Sequence, residues 1–277
     1  MIVTDAAPFA EWIGRTSESE DVVSDRLVES FCATLGPYLT PRQGDQAPLG
    51  IHWCLSPAIA PMAALGEDGH PARNLSLPPV PLPRRMWAGG VLEFLAPLPV
   101  GAAVRRRSTI ADISRKFGKS GDLWFVAVEH DYLAQSGVAI RERQDIVYRE
   151  AASPNQNKTA AAGAVASIER KAARGVAIEI SPTLLFRYSA LTFNGHRIHY
   201  DYPYATGVEG YSGLVVHGPL QATLLLNLAA AAGQLRRFEY RGVAPAIAGK
   251  TLEVCAGEDG ELWTAGERVH MTGRATW

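Results

Sequence analysis

The 277-residue chain carries 27 basic and 28 acidic residues, a formal net charge of −1, with 47% hydrophobic residues. That mix is ordinary for a globular protein and long enough for one large domain or two smaller ones. Near-neutral charge gives no reason to expect nucleic acid or an anionic membrane as partner, and the longest apolar run, 222–232, is too short to cross a bilayer.

Residues 5–36 read as helical: Val22, Leu27, Val28, Phe31 and Leu35 fall near a 3.6-residue repeat, Ser24 is a candidate N-cap, and Gly36-Pro37 stops the run. The acidic stretch 1–20 does not resemble a signal or transit peptide, so a cytoplasmic protein is expected. Residues 38–85 are rich in Pro and Gly, with one or two helical turns expected within 57–65. The proline-dense 77–83 can be neither a central strand nor a helix interior and is expected to drape over the surface.

From Met86 the pattern changes to strands at 91–95, 103–113, 123–134 and 138–149, separated by turn signals, which reads as an antiparallel meander. Residues 151–165 read as a linker, poor in aromatics and rich in Ala, Asn and Lys. This divides the chain into a first half, 1–150, and a second half, 166–277. The second half opens with a strand near 178–180, passes through a polar cluster, enters an apolar helix at 219–233, and ends in strands at 237–241, 251–256, 262–265 and 269–275. Ala96-Pro97…Gly101 is echoed by Ala244-Pro245…Gly249, an offset of 148 residues between Gly101 and Gly249, which favours an internal duplication. A helix on a curved antiparallel sheet is the α+β solution for burying one face of each.

The chemistry gathers between Arg187 and Ala232. His196, His199 and His217 lie here with Asn194, Arg197 and Asp201, immediately before His217-Gly218-Pro219. Pro at a first helical position is preorganised, and the free N–H groups of a helix N-terminus suit an oxygen that develops negative charge. A histidine facing such an amide is a candidate acid–base site with an oxyanion hole. The cysteines Cys32, Cys54 and Cys255 show no C-x-x-C spacing and read as buried small residues, with no disulfide framework or usual zinc site implied.

LTFNGHRIHYDYPYA followed by LVVHGPL resembles the signature of the MaoC-like hydratases and dehydratases, S-G-D-x-N-P-L/I-H-x-D and then H-G-M/P-L. The T-F-N-x-H-R-I-H-Y-D variant resembles the type-2 hydroxyacyl-thioester dehydratase branch, and within it the mesaconyl-C4-CoA and itaconyl-CoA hydratases. LPPVPLPRRMWAG at 77–89 and QDIVYRE at 144–150 extend the likeness over most of the chain. The resemblance implies an α+β double hot-dog fold, each half a central helix wrapped by a curved antiparallel sheet. It further implies a hydro-lyase acting on an enoyl thioester, with coenzyme A present only as part of the substrate and no metal or redox cofactor. Carried over by position, His199 is the catalytic histidine, Asn194 stands where the family has its catalytic aspartate, Asp201 follows the histidine, and Gly218 supplies the oxyanion-hole amide.

Asn cannot take a proton. Asn194 is therefore expected to position water or substrate, or to serve only as a turn residue, while His199 carries the proton and Asp201 orients it or anchors the loop. A free substrate carboxylate would pair with an arginine. Arg187, Arg197, Arg84 and Arg85 are the candidates, Arg84-Arg85 equally for coenzyme A phosphates, with Tyr200, Tyr202 and Tyr204 as wall residues. The favoured substrate is a short branched dicarboxylic enoyl-CoA; a (3R)-hydroxyacyl-thioester dehydratase of fatty-acid type and a non-catalytic acyl-thioester binding protein are the alternatives. One site per chain is expected, with first-half residues supplying walls and coenzyme A contacts, and a homodimer is the commonest soluble assembly.

Overall fold

The computed structural model describes residues 8–72, 75–118, 121–150 and 170–277. Ten strands form one antiparallel sheet in the order β1-β3-β4-β5-β2-β7-β10-β9-β8-β6. In chain order these are β1 (Thr16–Val22), β2 (Arg84–Phe94), β3 (Ala103–Gly118), β4 (Gly121–Ala134), β5 (Gly137–Arg149), β6 (Arg174–Glu179), β7 (Arg237–Gly242), β8 (Thr251–Ala256), β9 (Glu261–Ala265) and β10 (Val269–Thr276). The register Gly89↔Arg241 to Glu93↔Arg237 joins β2 to β7 and makes the sheet continuous across both halves. Strand alternation sets what faces inward: on β4, Trp124, Val126, Val128, His130 and Tyr132 recur every second residue and are buried.

Among the described residues three α-helices pack on this sheet: α1 (Asp25–Leu35), α2 (Pro182–Thr192) and α3 (Gly218–Ala230). In α1 the Ser24 Oγ accepts from Leu27 N at 3.3 Å, capping the first turn, while Leu27, Val28, Phe31 and Leu35 face the core. Helix α3 is buried on nearly every side against β7 to β10, which is why its apolar residues are not confined to a stripe and even Gln221, Thr223 and Asn227 are buried.

The duplication has a backbone signature. Gly101 N donates to Val23 O at 2.7 Å, and Gly249 N donates to Ile180 O at 2.8 Å; the residue after each acceptor, Ser24 and Ser181, caps a helix. The isolated bridges Gln46↔Pro99 and Val215↔Ile247 then lead into the central helical segment of each half. After Val215 this segment is the 13-residue α3; after Gln46 it is the four-residue 3₁₀ turn Ile51–Cys54. The fold is a double hot dog in which the first half's central helix is one turn long.

Several expectations change. Residues 16–22 belong to a strand rather than to a long first helix, because Glu18 and Glu20 stand opposite Arg107 and Arg105 on β3 and gain a charged cross-strand ladder. The prolines of 77–83 do keep that stretch irregular, but it is not merely superficial: Val80 and Leu82 are buried over Ile110, Trp124, Val126 and Tyr148. Helix α2 was not anticipated, although Ser181-Pro182 is a cap followed by a first-turn proline, with Ser181 Oγ accepting from Leu184 N at 3.2 Å. The expected linker at 151–165 lies outside the described residues.

Candidate active site

Helix α2 ends at Phe193, whose φ of 49° turns the chain sharply. Asn194 Oδ1 then accepts from His196 N at 3.0 Å, an Asx turn that sets up the 3₁₀ turn Arg197–His199. This turn delivers His199 beside the entrance of α3. His199 Nδ1 lies 2.7 Å from Val215 O, an atom that can only accept, so Nδ1 carries the hydrogen and Nε2 of the neutral ring presents a lone pair. The ring stacks on His217, the residue preceding Gly218, with centroids 3.6 Å apart and planes 17° apart. His217 is fixed in turn by Ser189 Oγ, 2.8 Å from its Nε2. His199 is 6% exposed and His217 1%. Burial lowers the His199 pKa to about 4, partly opposed by the Val215 carbonyl, so the ring is neutral at pH 7 with its Nε2 lone pair available.

The start of α3 is walled by Trp87. A Cβ on Gly218 would lie 2.5 Å from Trp87 Cε3, so only glycine admits this contact. Trp87 stacks on Tyr240 at 4.4 Å and meets Trp53 edge-on at 5.8 Å. Behind them Glu142, fully buried, accepts from Trp53 Nε1 at 2.7 Å, Gln144 Nε2 at 2.9 Å, Tyr132 OH at 3.2 Å and Tyr240 OH at 3.3 Å.

The other anticipated residues divide. Asp201 does not orient His199: it receives Arg197 Nε and Nη2 at 2.9 and 2.7 Å, accepts from Tyr204 N at 3.1 Å, and thus anchors the loop. Arg197 is consumed by that pair and by Glu67 O at 3.0 Å, so it clamps a first-half loop onto the motif rather than facing a substrate. Tyr200 is half exposed, its hydroxyl donating to Gly195 O at 3.0 Å, and Tyr202 is also exposed while Tyr204 is buried. Arg187 is exposed on the far side of α2 and reaches Ala33 O on α1 at 3.3 Å, away from the site.

Arg84 pairs with Glu209 at 2.7 Å, the two side chains 5% and 14% exposed, and its guanidinium covers the Tyr211 ring at 5.1 Å. That makes it structural. Arg84→Met should lower stability by about 3 kcal/mol, because it removes the charge partner of the largely buried Glu209 carboxylate; thermal melting with an unchanged KM for acyl-CoA is the check. Arg85 differs from the other three, having no ion pair or hydrogen bond among the described residues. Alternation places it on the same face of β2 as Trp87, and its charge is felt at both His70 and His196.

Asp68 and His70 were not anticipated. They sit on a first-half loop that crosses the motif loop: Asp68 O accepts from Arg197 N at 2.9 Å, and Gly69, at φ +83°, lies against the Gly195 carbonyl where no side chain fits. Asp68 Oδ2 is 3.0 Å from His70 Nδ1, the His70 ring lies 4.1 Å from that of His196, and His196 meets His199 edge-on at 5.4 Å. No local spacing reveals this pair, since 126 residues separate His70 from His196.

Buried neutral imidazoles also set the acid limit of the fold. Burial lowers His52 and His130 to about 3 and His199 to about 4, well below the ordinary 6.5. The unfolded chain therefore binds more protons than the folded one between pH 6.5 and 3. Stability should fall as pH drops through that window and stay level above it, as denaturant midpoints measured from pH 8 to 4 would show.

Residues 50–248 match the family model for hydroxyacyl-thioester dehydratase type 2. The chain is 42% identical over 243 residues to the mesaconyl-C(4)-CoA hydratase of Chloroflexus aurantiacus, covering 87% of this chain and 85% of that protein. It is 28% identical over 263 residues to the mitochondrial hydroxyacyl-thioester dehydratase type 2 of Schizosaccharomyces pombe, covering 84% and 83%. A conserved hypothetical protein of Mycobacterium tuberculosis, described as a double hot-dog fold, superposes with a TM-score of 0.57 at 14% identity over 95% of each chain. The chain belongs to the type 2 hydroxyacyl-thioester dehydratase family and is a hydratase or dehydratase of the MaoC type.

Proposed function

We propose that the protein is a hydro-lyase that adds water to a short, carboxylated enoyl-CoA of the mesaconyl-C4-CoA or itaconyl-CoA kind, or removes it. The observation that carries the chemistry is the His199 tautomer: Val215 O claims Nδ1, leaving Nε2 as a base for the water that attacks the β-carbon. As the carbon–oxygen bond forms, charge moves to the thioester oxygen, where the Gly218 N–H at the positive end of α3 stabilises it. Asn194, its Oδ1 held by the Asx turn, has its Nδ2 free to hold that water or the acyl group.

Two observations favour a short, charged acyl group over a fatty one. The aromatic block Trp87–Tyr240–Trp53, ending on buried Glu142, walls the α3 entrance with packed rings, which suits a short acyl group better than a long alkyl chain. Arg85, whose charge is felt at His70 and His196, has no side-chain partner among the described residues and suits a substrate carboxylate. The name of the 42% identical relative points the same way.

Arg85→Gln should raise KM for mesaconyl-C4-CoA by about 10–100-fold, the worth of a lost charge-assisted pair of about 1.5–3 kcal/mol, and leave crotonyl-CoA kinetics unchanged. Equal effects on both thioesters would assign Arg85 to coenzyme A instead and remove this support for a carboxylated substrate.

A further inference from the structure

We propose that His70, backed by Asp68, is a second acid–base residue of this site, performing with His199 the proton transfers that a carboxylate at position 194 would otherwise share. The inference rests on the hydro-lyase reading above. Its starting point is a deficit: Asn194 cannot titrate, and its side-chain oxygen is already spent on His196 N. Asp201, the other carboxylate of the motif, is neutralised by Arg197 and bonded to Tyr204 N. A reaction that must both take a proton from water and give one to the α-carbon is left with His199 but no carboxylate of the motif to share the task.

The fold brings the missing group from elsewhere. The loop carrying Gly66 to His70 is fixed against the motif loop by Arg197, which donates its backbone N–H to Asp68 O and its Nη1 to Glu67 O at 3.0 Å. His70 thereby lies over His196, and one side-chain nitrogen or oxygen from each of Asp68, His70 and His196 falls within 4.8 Å of the other two. Asp68 Oδ2 holds His70 Nδ1–H, which directs Nε2 away from the carboxylate, and no described residue occupies that nitrogen. An imidazole oriented by a carboxylate is the arrangement that stabilises an imidazolium during proton transfer.

The division of labour follows from the surroundings. Of His70, His196, His199 and His217, only His70 pairs with a carboxylate. Burial lowers it, and Arg85 adds to this, but the Asp68 bond and charge oppose the lowering, whereas His196 and His217 have no such bond. A proton entering the cluster is therefore held best by His70, the one ring backed by a carboxylate, and His199 is the base. In the hydration direction, a water proton passes to His199 Nε2 as its oxygen bonds to the β-carbon. The π pair moves onto the thioester as an enolate, and the enolate's collapse draws a proton from His70 Nε2 to the α-carbon. His196, between the two rings, returns the proton from His199 to His70.

The test uses the full-length protein with mesaconyl-C4-CoA and crotonyl-CoA, on whichever the wild type turns over. His70→Gln should lower kcat by about 100-fold or more, within the range for a lost general acid–base group, with KM changed less than about threefold, and should abolish the alkaline limb of the kcat–pH profile. Asp68→Asn should preserve the fold and shift that limb to lower pH, since His70 then loses the carboxylate that favours its proton; a packing role alone would move melting temperature and KM but not the limb. A His70→Gln variant with wild-type kcat and an intact limb overturns the proposal. His199→Ala, run alongside, separates the two levels: a dead His199 variant beside an active His70 variant sinks only this inference, and an active His199 variant overturns the assignment of His199 as base on which it rests.

Discussion

Replacing His199 with alanine should reduce kcat by about 10²–10⁴-fold, the usual worth of a positioned general base, with little change in KM. The reason is the environment of one ring. Val215 O fixes Nδ1, the His217 face fixes the plane, and Ser189 fixes His217, so Nε2 is held in a single direction. Water cannot replace a base held this way. His199→Gln should be nearly as damaging, because it preserves polarity but not basicity. The loss of enoyl absorbance under saturating thioester measures both, and near-normal turnover in either would remove His199 from the chemistry.

Gly218→Ala should be the second most damaging change. Its Cβ would meet Trp87 Cε3 at 2.5 Å and Cζ3 at 3.1 Å, and the indole cannot retreat, being stacked on Tyr240 and edged by Trp53. The first turn of α3 must shift instead, carrying its N–H groups away from the thioester oxygen. A misplaced oxyanion donor costs about 10²–10³ in kcat, and the overpacking about 1–3 kcal/mol of stability. Adding Trp87→Leu should restore much of the melting temperature. A Gly218→Ala protein that melts and turns over like the wild type would show that the close approach is not real.

Much of this architecture was legible because its signals are local. The strands from 123 to 149 alternate with a period of two, Ser24 and the Gly36-Pro37 stop bracket α1, and α3 announces itself through Pro219 and an apolar run. The motif also placed His199 next to Gly218's neighbour. What was missed depends on partners far away in sequence. The strand at 16–22 reads as helix until its acidic residues find the arginines of β3, 87 residues on from Glu18 to Arg105. Helix α2 could have been inferred from the duplication, since Val23-Ser24 before α1 is repeated by Ile180-Ser181 before α2. Of the two roles the sequence left open for Asp201, the fold shows loop anchoring, because Arg197, four residues earlier, pairs with it and a backbone carbonyl serves His199 instead. Asp68 and His70 carry no family motif and reach the site only through the fold.

The central claim, a hydro-lyase with a short carboxylated substrate, is most directly tested by incubating the wild-type protein separately with mesaconyl-C4-CoA, itaconyl-CoA and crotonyl-CoA and following the enoyl absorbance to equilibrium. The expected result is rapid hydration of at least one carboxylated thioester and turnover of crotonyl-CoA slower by two orders of magnitude or more. Preference for crotonyl-CoA, or no change with any of the three, would contradict it.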